Sequence, residues 1–208
     1  MYFQDLNQFL VIVLVHLLAV ISPGPDFALI TRQSFLYGRT SSIYTSLGIA
    51  SGILVHVSYC IVGLNFLLTN NDVLFYIRIV CAIYLFYLGI KSLLSHNIKL
   101  NNNAKIEYDI VEITPIIAYR DGFITNVLNI KATFFFLSLY VYIDTAFITI
   151  RVLYGLWMSI ITGLWFILLS IILTSKKITE NTYNYQFYIN KLMGIVLIYL
   201  AIKIYLNY

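Results

Sequence analysis

The sequence predicts an all-α integral membrane protein with six transmembrane helices arranged as an inverted 3+3 repeat. Of its 208 residues, 61% are hydrophobic and 11% are charged, and the mean hydropathy is +0.86. A soluble domain of this length carries far more charge. Six apolar runs are each long enough to cross about 30 Å of hydrocarbon. The basic residues cluster between alternate runs, as they do when membrane topology determines their place.

The apolar runs define two halves and a connecting loop. The first three-helix repeat comprises residues 1–95, the loop 96–120 and the second repeat 121–208. The six spans are predicted near 6–31, 42–69, 73–95, 121–143, 148–174 and 189–207. Because three is odd, the second repeat crosses the membrane in the opposite sense from the first, as in transporters built from inverted repeats.

The orientation follows from the positions of lysine and arginine. Nine of the 13 basic residues fall on one side: Arg32, Arg39, Lys91, Lys99, Lys105, Arg120, Lys176, Lys177 and Lys191. The positive-inside rule places that side, with the central loop, in the cytoplasm and both termini outside it. The N-terminus lacks the positive region of a cleavable signal, so we expect the first run to be retained as a span of the inner membrane.

Composition also limits the classes of function. The net charge of +4 is explained by topology, so nucleic-acid binding is not predicted. The sequence has no nucleotide-binding glycine loop, no nucleophile elbow and no paired catalytic carboxylates. Neither an enzyme nor a cofactor is therefore expected, and transport would draw on an ion gradient. Cys60 and Cys81 lie in predicted spans as small apolar residues, and no metal site is predicted.

The first span is interrupted by the segment Ser22-Pro23-Gly24-Pro25-Asp26. Proline removes a backbone donor and clashes with the preceding turn, so an ordinary helix cannot continue through it. Ser22 as N-cap and Pro23 as first helical residue predict a half-helix that starts inside the membrane. Its positive end suits a substrate carboxylate. The alternative is a kinked helix whose prolines serve packing alone.

Asp26 is unusual because carboxylates within a membrane are rare and usually functional. It could bind a substrate amine, carry a proton or pair with a base. Alternatively, it caps the half-helix and extends toward the cytoplasmic surface.

The fourth span contains Asn126, Asn129 and Lys131 in an otherwise apolar run. In an inverted repeat, spans one and four are equivalent, so each should carry an irregularity. Lys131 should lie about 15 Å into the span, where an ammonium needs a partner. We expect it to pair with Asp26. The alternative is a lysine that extends back to the cytoplasmic interface.

Gly48, Gly52 and His56 follow one another at four-residue spacing in the second span. Small residues at this spacing allow close helix contact, either within the chain or in a homodimer. His56 continues the same face, where both a polar packing contact and a proton-relay role remain open. His16 is a weaker candidate in the first span.

Several segments together resemble the LysE amino-acid exporter superfamily, and its homoserine/threonine exporter branch above all. They are residues 22–32, 37–39, 47–56, 84–91, 122–131 and 191–194. The resemblance implies proton-driven export of amino acids or related small zwitterions. It also implies a central site whose residues here are Pro23, Gly24, Pro25, Asp26, Asn126, Asn129 and Lys131.

Ile130 stands where that family has a proline between asparagine and lysine, so we expect a less broken helix there. The resulting expectation is a secondary transporter with a midplane site between spans one and four. Its partners would be a small substrate, protons and lipid. The alternatives are a metal or small-ion exporter and a non-transporting membrane scaffold or enzyme.

Overall fold

The computed structural model describes residues 2–67, 71–94, 113–143, 147–175 and 181–206. Within these ranges the chain is helical and contains no strand, so the all-α prediction is confirmed there. The helices are α1 Tyr2–Ile21, α2 Pro25–Leu67, α3 Asn71–Leu93, α4 Pro115–Val127, α5 Ile130–Tyr142, α6 Ile148–Leu173 and α7 Asn181–Leu206.

The proline segment separates α1 from α2, although the new helix begins later than the sequence suggested. Ser22 completes the last turn of α1, since its N–H donates to the Leu18 carbonyl at 3.0 Å. Helix α2 begins at Pro25, and the Ala28 N–H donates to the Gly24 carbonyl at 2.9 Å. The predicted roles of Ser22 as cap and Pro23 as first residue are therefore wrong. Pro25 takes the first position, where its missing N–H costs no helical hydrogen bond.

Helix α2 also continues through the predicted connection between spans one and two. Its one internal departure from helical geometry is Gly38, with φ 77° and ψ −173°. This left-handed φ is readily adopted by glycine because it has no Cβ. The expected connection between residues 31 and 42 is therefore a kink at one residue.

A second break separates α4 from α5. Helix α4 begins at Pro115, inside the predicted loop 96–120, most of which lies outside the described residues. The axes of α4 and α5 differ by 58° across the break. The expectation of a less broken helix at Ile130 is wrong, because Asn129 caps α5 with its side chain. Its Oδ1 accepts from the N–H of Lys131 at 3.0 Å and from that of Ala132 at 3.4 Å.

Helix α2 packs against α4 and α6, and α3 packs against α7. The α2–α4 contact is very close: a Cβ added to Gly48 would lie 2.0 Å from the Tyr119 carbonyl oxygen. On the other helix, a Cβ at Gly122 would lie 2.1 Å from the Thr45 carbonyl oxygen. The Gly48 face is therefore occupied by α4 of the same chain.

Three described helical segments are long and apolar enough to cross a membrane, and the bent α4–α5 pair makes a fourth. Shorter apolar helices cover Gln8–Ile21 and Gly194–Leu206. Many large apolar side chains are exposed on these helices, as expected of a surface that faces lipid rather than water. Six spans in an inverted 3+3 repeat remain a prediction.

Candidate functional site

The two helix breaks meet at the carboxylate of Asp26. Its Oδ2 accepts a hydrogen bond from Asn126 Nδ2 at 2.9 Å and another from Asn129 Nδ2 at 3.1 Å. The carboxylate lies at the start of α2, whereas the amides lie at the end of α4 and just before α5. The contact joins residues about a hundred positions apart, and it fixes one break against the other.

Chemistry fixes the orientation of both amides. An ionised carboxylate only accepts hydrogen bonds, so each asparagine must present its NH₂ group to Asp26. The Asn129 oxygen then faces the opposite way and caps α5. The Asn129 side chain thereby caps α5 and also donates a hydrogen bond to Asp26. The Asn126 Oδ1 is buried and has no hydrogen-bond partner among the described residues.

Lys131 contacts the first break rather than Asp26 directly. Its Nζ donates to Ser22 Oγ at 3.1 Å and to the Pro23 carbonyl at 3.2 Å. The expected ion pair with Asp26 is not formed, since no nitrogen–oxygen contact within 4.0 Å joins these two side chains. A helix break leaves carbonyls without helical donors, and the ammonium supplies one. Because an ammonium has three N–H donors, one remains for a ligand.

A small inner cavity of about 60 Å³ lies between the two breaks. Since roughly 10–15 Å³ of such space holds one water molecule, the cavity suits only a small ligand. Its polar lining consists of His16, Ser22, Asp26, Asn126, Asn129, Lys131 and Thr162. The remaining walls are largely aromatic and aliphatic: Phe27, Ile53, Phe135, Phe136 and Phe166 contribute to them. Asp26 Oδ1 is buried and unpartnered among the described residues.

A wider outer cavity of about 990 Å³ adjoins the inner one. Ser22, Gly24 and Lys131 line both, so the break and the lysine side chain form the partition between them. Pro23 and Pro25 line the outer cavity and are not among the residues that line the inner one. The predicted site residues are therefore divided between two adjoining spaces.

His56 contacts a site residue but does not itself line the inner cavity. Its Nε2 lies 2.9 Å from the Asn126 carbonyl oxygen, and its Nδ1 is paired with the Tyr59 hydroxyl. The ring stacks on Phe136 with 5.7 Å between centroids. Gly52 lies beside the same asparagine, because an added Cβ would be 2.7 Å from Asn126 Oδ1. His56 thus contacts the end of α4, Gly52 leaves room for Asn126, and the inner cavity is lined by other residues.

Sequence reasoning missed part of the cavity wall. His16 was ranked below His56, although it lines the cavity and His56 does not. Thr162 and the phenylalanines were not selected, because an isolated threonine or phenylalanine in an apolar run is usually a core residue. A signal for His16 existed in its depth within the first span. Cys60 and Cys81 are free and buried, and no group of three His, Cys, Asp or Glu side chains suited to a metal occurs in the described part.

The fold and the site together define a membrane transport protein. Its apolar helices carry two breaks that meet at a partly buried carboxylate, with a partly buried ammonium near it. Discontinuous helices of this kind form the substrate and ion sites of secondary transporters. The model of the LysE type translocator family matches residues 17–207. The chain belongs to this family, which confirms the resemblance seen in the sequence.

The chain is similar to an uncharacterized membrane protein and to proteins whose names state a function. An uncharacterized Bacillus subtilis membrane protein, YrhP, is 25% identical over 95% of this chain and 98% of its own length. The threonine efflux protein of Escherichia coli K12 is 28% identical over 65% of this chain and 66% of its own length. That of Salmonella typhi is 27% identical over similar shares, 65% and 66%. No solved structure matches the chain.

Proposed function

We propose that the protein is a secondary transporter that exports amino acids or related small zwitterions, with its binding site in the inner cavity. The observation that carries the proposal is the presence of two side chains of opposite charge, Asp26 and Lys131, on the wall of one small cavity. Asp26 Oδ1 and Asn126 Oδ1 are unpartnered acceptors, and Lys131 Nζ keeps one donor. An ammonium group would bind Asp26 Oδ1, and a carboxylate would bind the lysine.

The breaks supply the conformational part of the mechanism. In the proposed topology, the α1–α2 segment and the α4–α5 pair are equivalent parts of an inverted 3+3 repeat. Six spans would place both termini outside the cytoplasm, in the inner membrane. Movement of one repeat against the other would then expose the cavity alternately to the two sides. The hydrogen bonds from Asn126 and Asn129 to Asp26 cross between the repeats, so this movement would act directly on the carboxylate.

Asp26 is also the proposed proton acceptor. A carboxylate that receives a proton loses its charge and with it most of its attraction for an ammonium group. Entry of a proton from outside would thus weaken binding of the amine and reset the site. Protonation also converts one oxygen from acceptor to donor, which is incompatible with two amide donors on Oδ2 unless the proton resides on Oδ1. The free oxygen of Asp26 is therefore the proposed proton site.

The experiment uses purified full-length protein in proteoliposomes loaded with threonine, the substrate in the names of several relatives. We expect efflux driven by an opposing proton gradient. Asp26→Asn and Lys131→Ala should each lower it by about tenfold to a hundredfold, since a hydrogen bond to a charged group contributes about 1.5–3 kcal/mol. Asp121→Asn is the matched control, because Asp121 pairs with Arg120 outside the cavity.

Three results would contradict the proposal in different ways. Efflux that is unchanged in both variants would exclude the site. Transport of metal ions without amino acids would favour the ion-exporter alternative. A wild-type protein that moves no solute would indicate a non-transporting scaffold or enzyme.

A further inference from the structure

His16 is a fully buried histidine whose ring nitrogens are used unequally. Its Nε2 lies 3.2 Å from Thr162 Oγ1, whereas its Nδ1 has no hydrogen-bond partner among the described residues. The side chain has 0% exposure, and both His16 and Thr162 line the inner cavity together with Asp26 and Lys131. Buried polar groups are almost always paired, so this nitrogen, on a residue that lines the cavity, is a position for a hydrogen-bonding group of a ligand.

The ring is held firmly enough to select among ligands. Trp157 contacts it edge to face with 5.5 Å between centroids, and Phe136 lies at 6.2 Å. The bond to Thr162 fixes the rotation of the ring. By contrast, both ring nitrogens of His56 already have protein partners. Of these two buried histidines, His16 is the one that offers an open hydrogen-bonding position.

The position of His16 separates it from the charged end of the cavity. It precedes Ser22, which holds Lys131, by six residues, or about 9 Å along a helix. Two hydrogen bonds of about 3 Å, one at each end of a ligand only a few bonds long, span a comparable distance. A ligand whose carboxylate binds Lys131 and whose ammonium group binds Asp26 would therefore bring its side chain toward His16.

A hydroxyl group fits this position whichever tautomer His16 adopts. If Thr162 donates to Nε2, then Nδ1 carries the proton and must donate; if Thr162 accepts, Nδ1 must accept. A hydroxyl can do either, whereas a methyl group can do neither. The cavity volume of about 60 Å³ and its four phenylalanine walls exclude long side chains in this conformation.

We propose that His16, positioned by Thr162, forms a hydrogen bond with the substrate side chain. It thereby selects amino acids with a short hydroxyl-bearing side chain over apolar ones of the same shape. This inference rests on the proposed function, because it places the amino-acid carboxylate on Lys131. A site built to hydrogen-bond a hydroxyl rejects the analogue that lacks it, since its own polar atom is then left buried and unpaired.

The test compares threonine with valine, which replaces the hydroxyl by a methyl group in nearly the same volume. Efflux of each is measured from proteoliposomes containing the wild type, His16→Leu or Thr162→Val. We expect the wild type to favour threonine by about tenfold or more, the loss of one hydrogen bond to a buried group being of that order. Both variants should lose this preference through slower threonine efflux, with valine efflux retained.

The ratio of the two rates separates selection from a structural role. A structural defect slows threonine and valine equally, so an unchanged ratio in the variants would overturn the inference, as would a wild type without preference. If His16→Leu does not reach the membrane, Thr162→Val decides, because it keeps the residue volume. A wild type that exports neither amino acid would instead overturn the proposed function, and this inference with it.

Discussion

The two helix breaks place polar groups at the same cavity by different chemistry. The first, at residues 22–24, contains proline and glycine, and its side-chain and carbonyl acceptors are used by Lys131 from the other break. The second, at residues 128–129, contains no proline, and Asn129 caps the following helix from within. The first break thus depends on a distant residue, whereas the second is capped by its own asparagine and is also contacted by His56 at the Asn126 carbonyl.

The difference shows that a proline is one way to end a helix inside an apolar protein and a capping side chain is another. What both breaks require is a partner for each freed backbone group, because such groups are costly when buried. Asn129 meets this requirement and also holds Asp26. The second break can therefore have a 58° bend with isoleucine where proline was expected.

The largest expected effect comes from a substitution that pushes α4, which ends at the second break, away from α2, which begins at the first. In Gly48→Ala the new Cβ would lie 2.0 Å from the Tyr119 carbonyl oxygen and 2.8 Å from the Phe123 nitrogen. Because both are backbone atoms, we expect a loss at the upper end of the roughly 1–3 kcal/mol typical of overpacking, or more. The melting temperature in detergent measures it. Gly63→Ala is the matched control, with nothing within 4 Å of its Cβ; equal stability of the two variants would contradict the close packing.

A smaller change separates the two roles of Asn129. Asn129→Ala removes the cap and the bond to Asp26, so it should cost about 1 kcal/mol of stability from the cap alone and also slow efflux. Serine is a good N-cap but is too short to replace the amide contact to Asp26. Asn129→Ser should therefore keep most of the stability and show the same slow efflux. If stability and efflux fall together in both variants, the two roles are not separable.

The smallest expected effect is a gain. Ile130 is the first residue of α5, and the Asn129 side chain bonds the N–H groups of Lys131 and Ala132 instead of its own neighbour's. Asn129 has φ −76° and ψ 99°, an extended conformation compatible with a following proline. Ile130→Pro should thus raise stability by about 0.4–1 kcal/mol, measured by thermal unfolding.

Thr133→Pro is the control for this gain. The Thr133 N–H donates to the Asn129 carbonyl at 2.9 Å, so proline there should destabilise the protein by about 3 kcal/mol. A destabilised Ile130→Pro variant would show that the second break differs in geometry from a proline-started helix.

Residue chemistry predicted the location of both breaks but not the contacts between them. Prolines flanking a glycine, and amides beside a lysine, stand out in any apolar run, which is why Asp26, Asn126, Asn129 and Lys131 could be selected. The group to which a side chain bonds is decided by distances of a few ångströms. Helix spacing alone does not give these distances. The sequence therefore pairs Lys131 with the Asp26 carboxylate, whereas the Ser22 hydroxyl and the Pro23 carbonyl lie within hydrogen-bond distance.

The fold was similarly predictable at the level of apolar runs and less so at their ends. Runs of apolar residues predicted helices, but Gly38 lies between the first two predicted spans, near 6–31 and 42–69. One left-handed residue suffices to turn the chain, so the expected connection was too long. The start of α4 was also missed, because Pro115 lies in the polar stretch before the apolar run.

The partition between the two cavities has a consequence for leakage. Lys131 lines both spaces, so an inorganic cation passing from one to the other would have to come close to a fixed ammonium. Two like unit charges 4 Å apart repel by about 4 kcal/mol at an effective dielectric constant of 20, which corresponds to roughly a thousandfold slower passage. A carboxylate is attracted by the same charge. Under the proposed function, the Lys131 charge would therefore slow the entry of sodium and potassium relative to that of a carboxylate group.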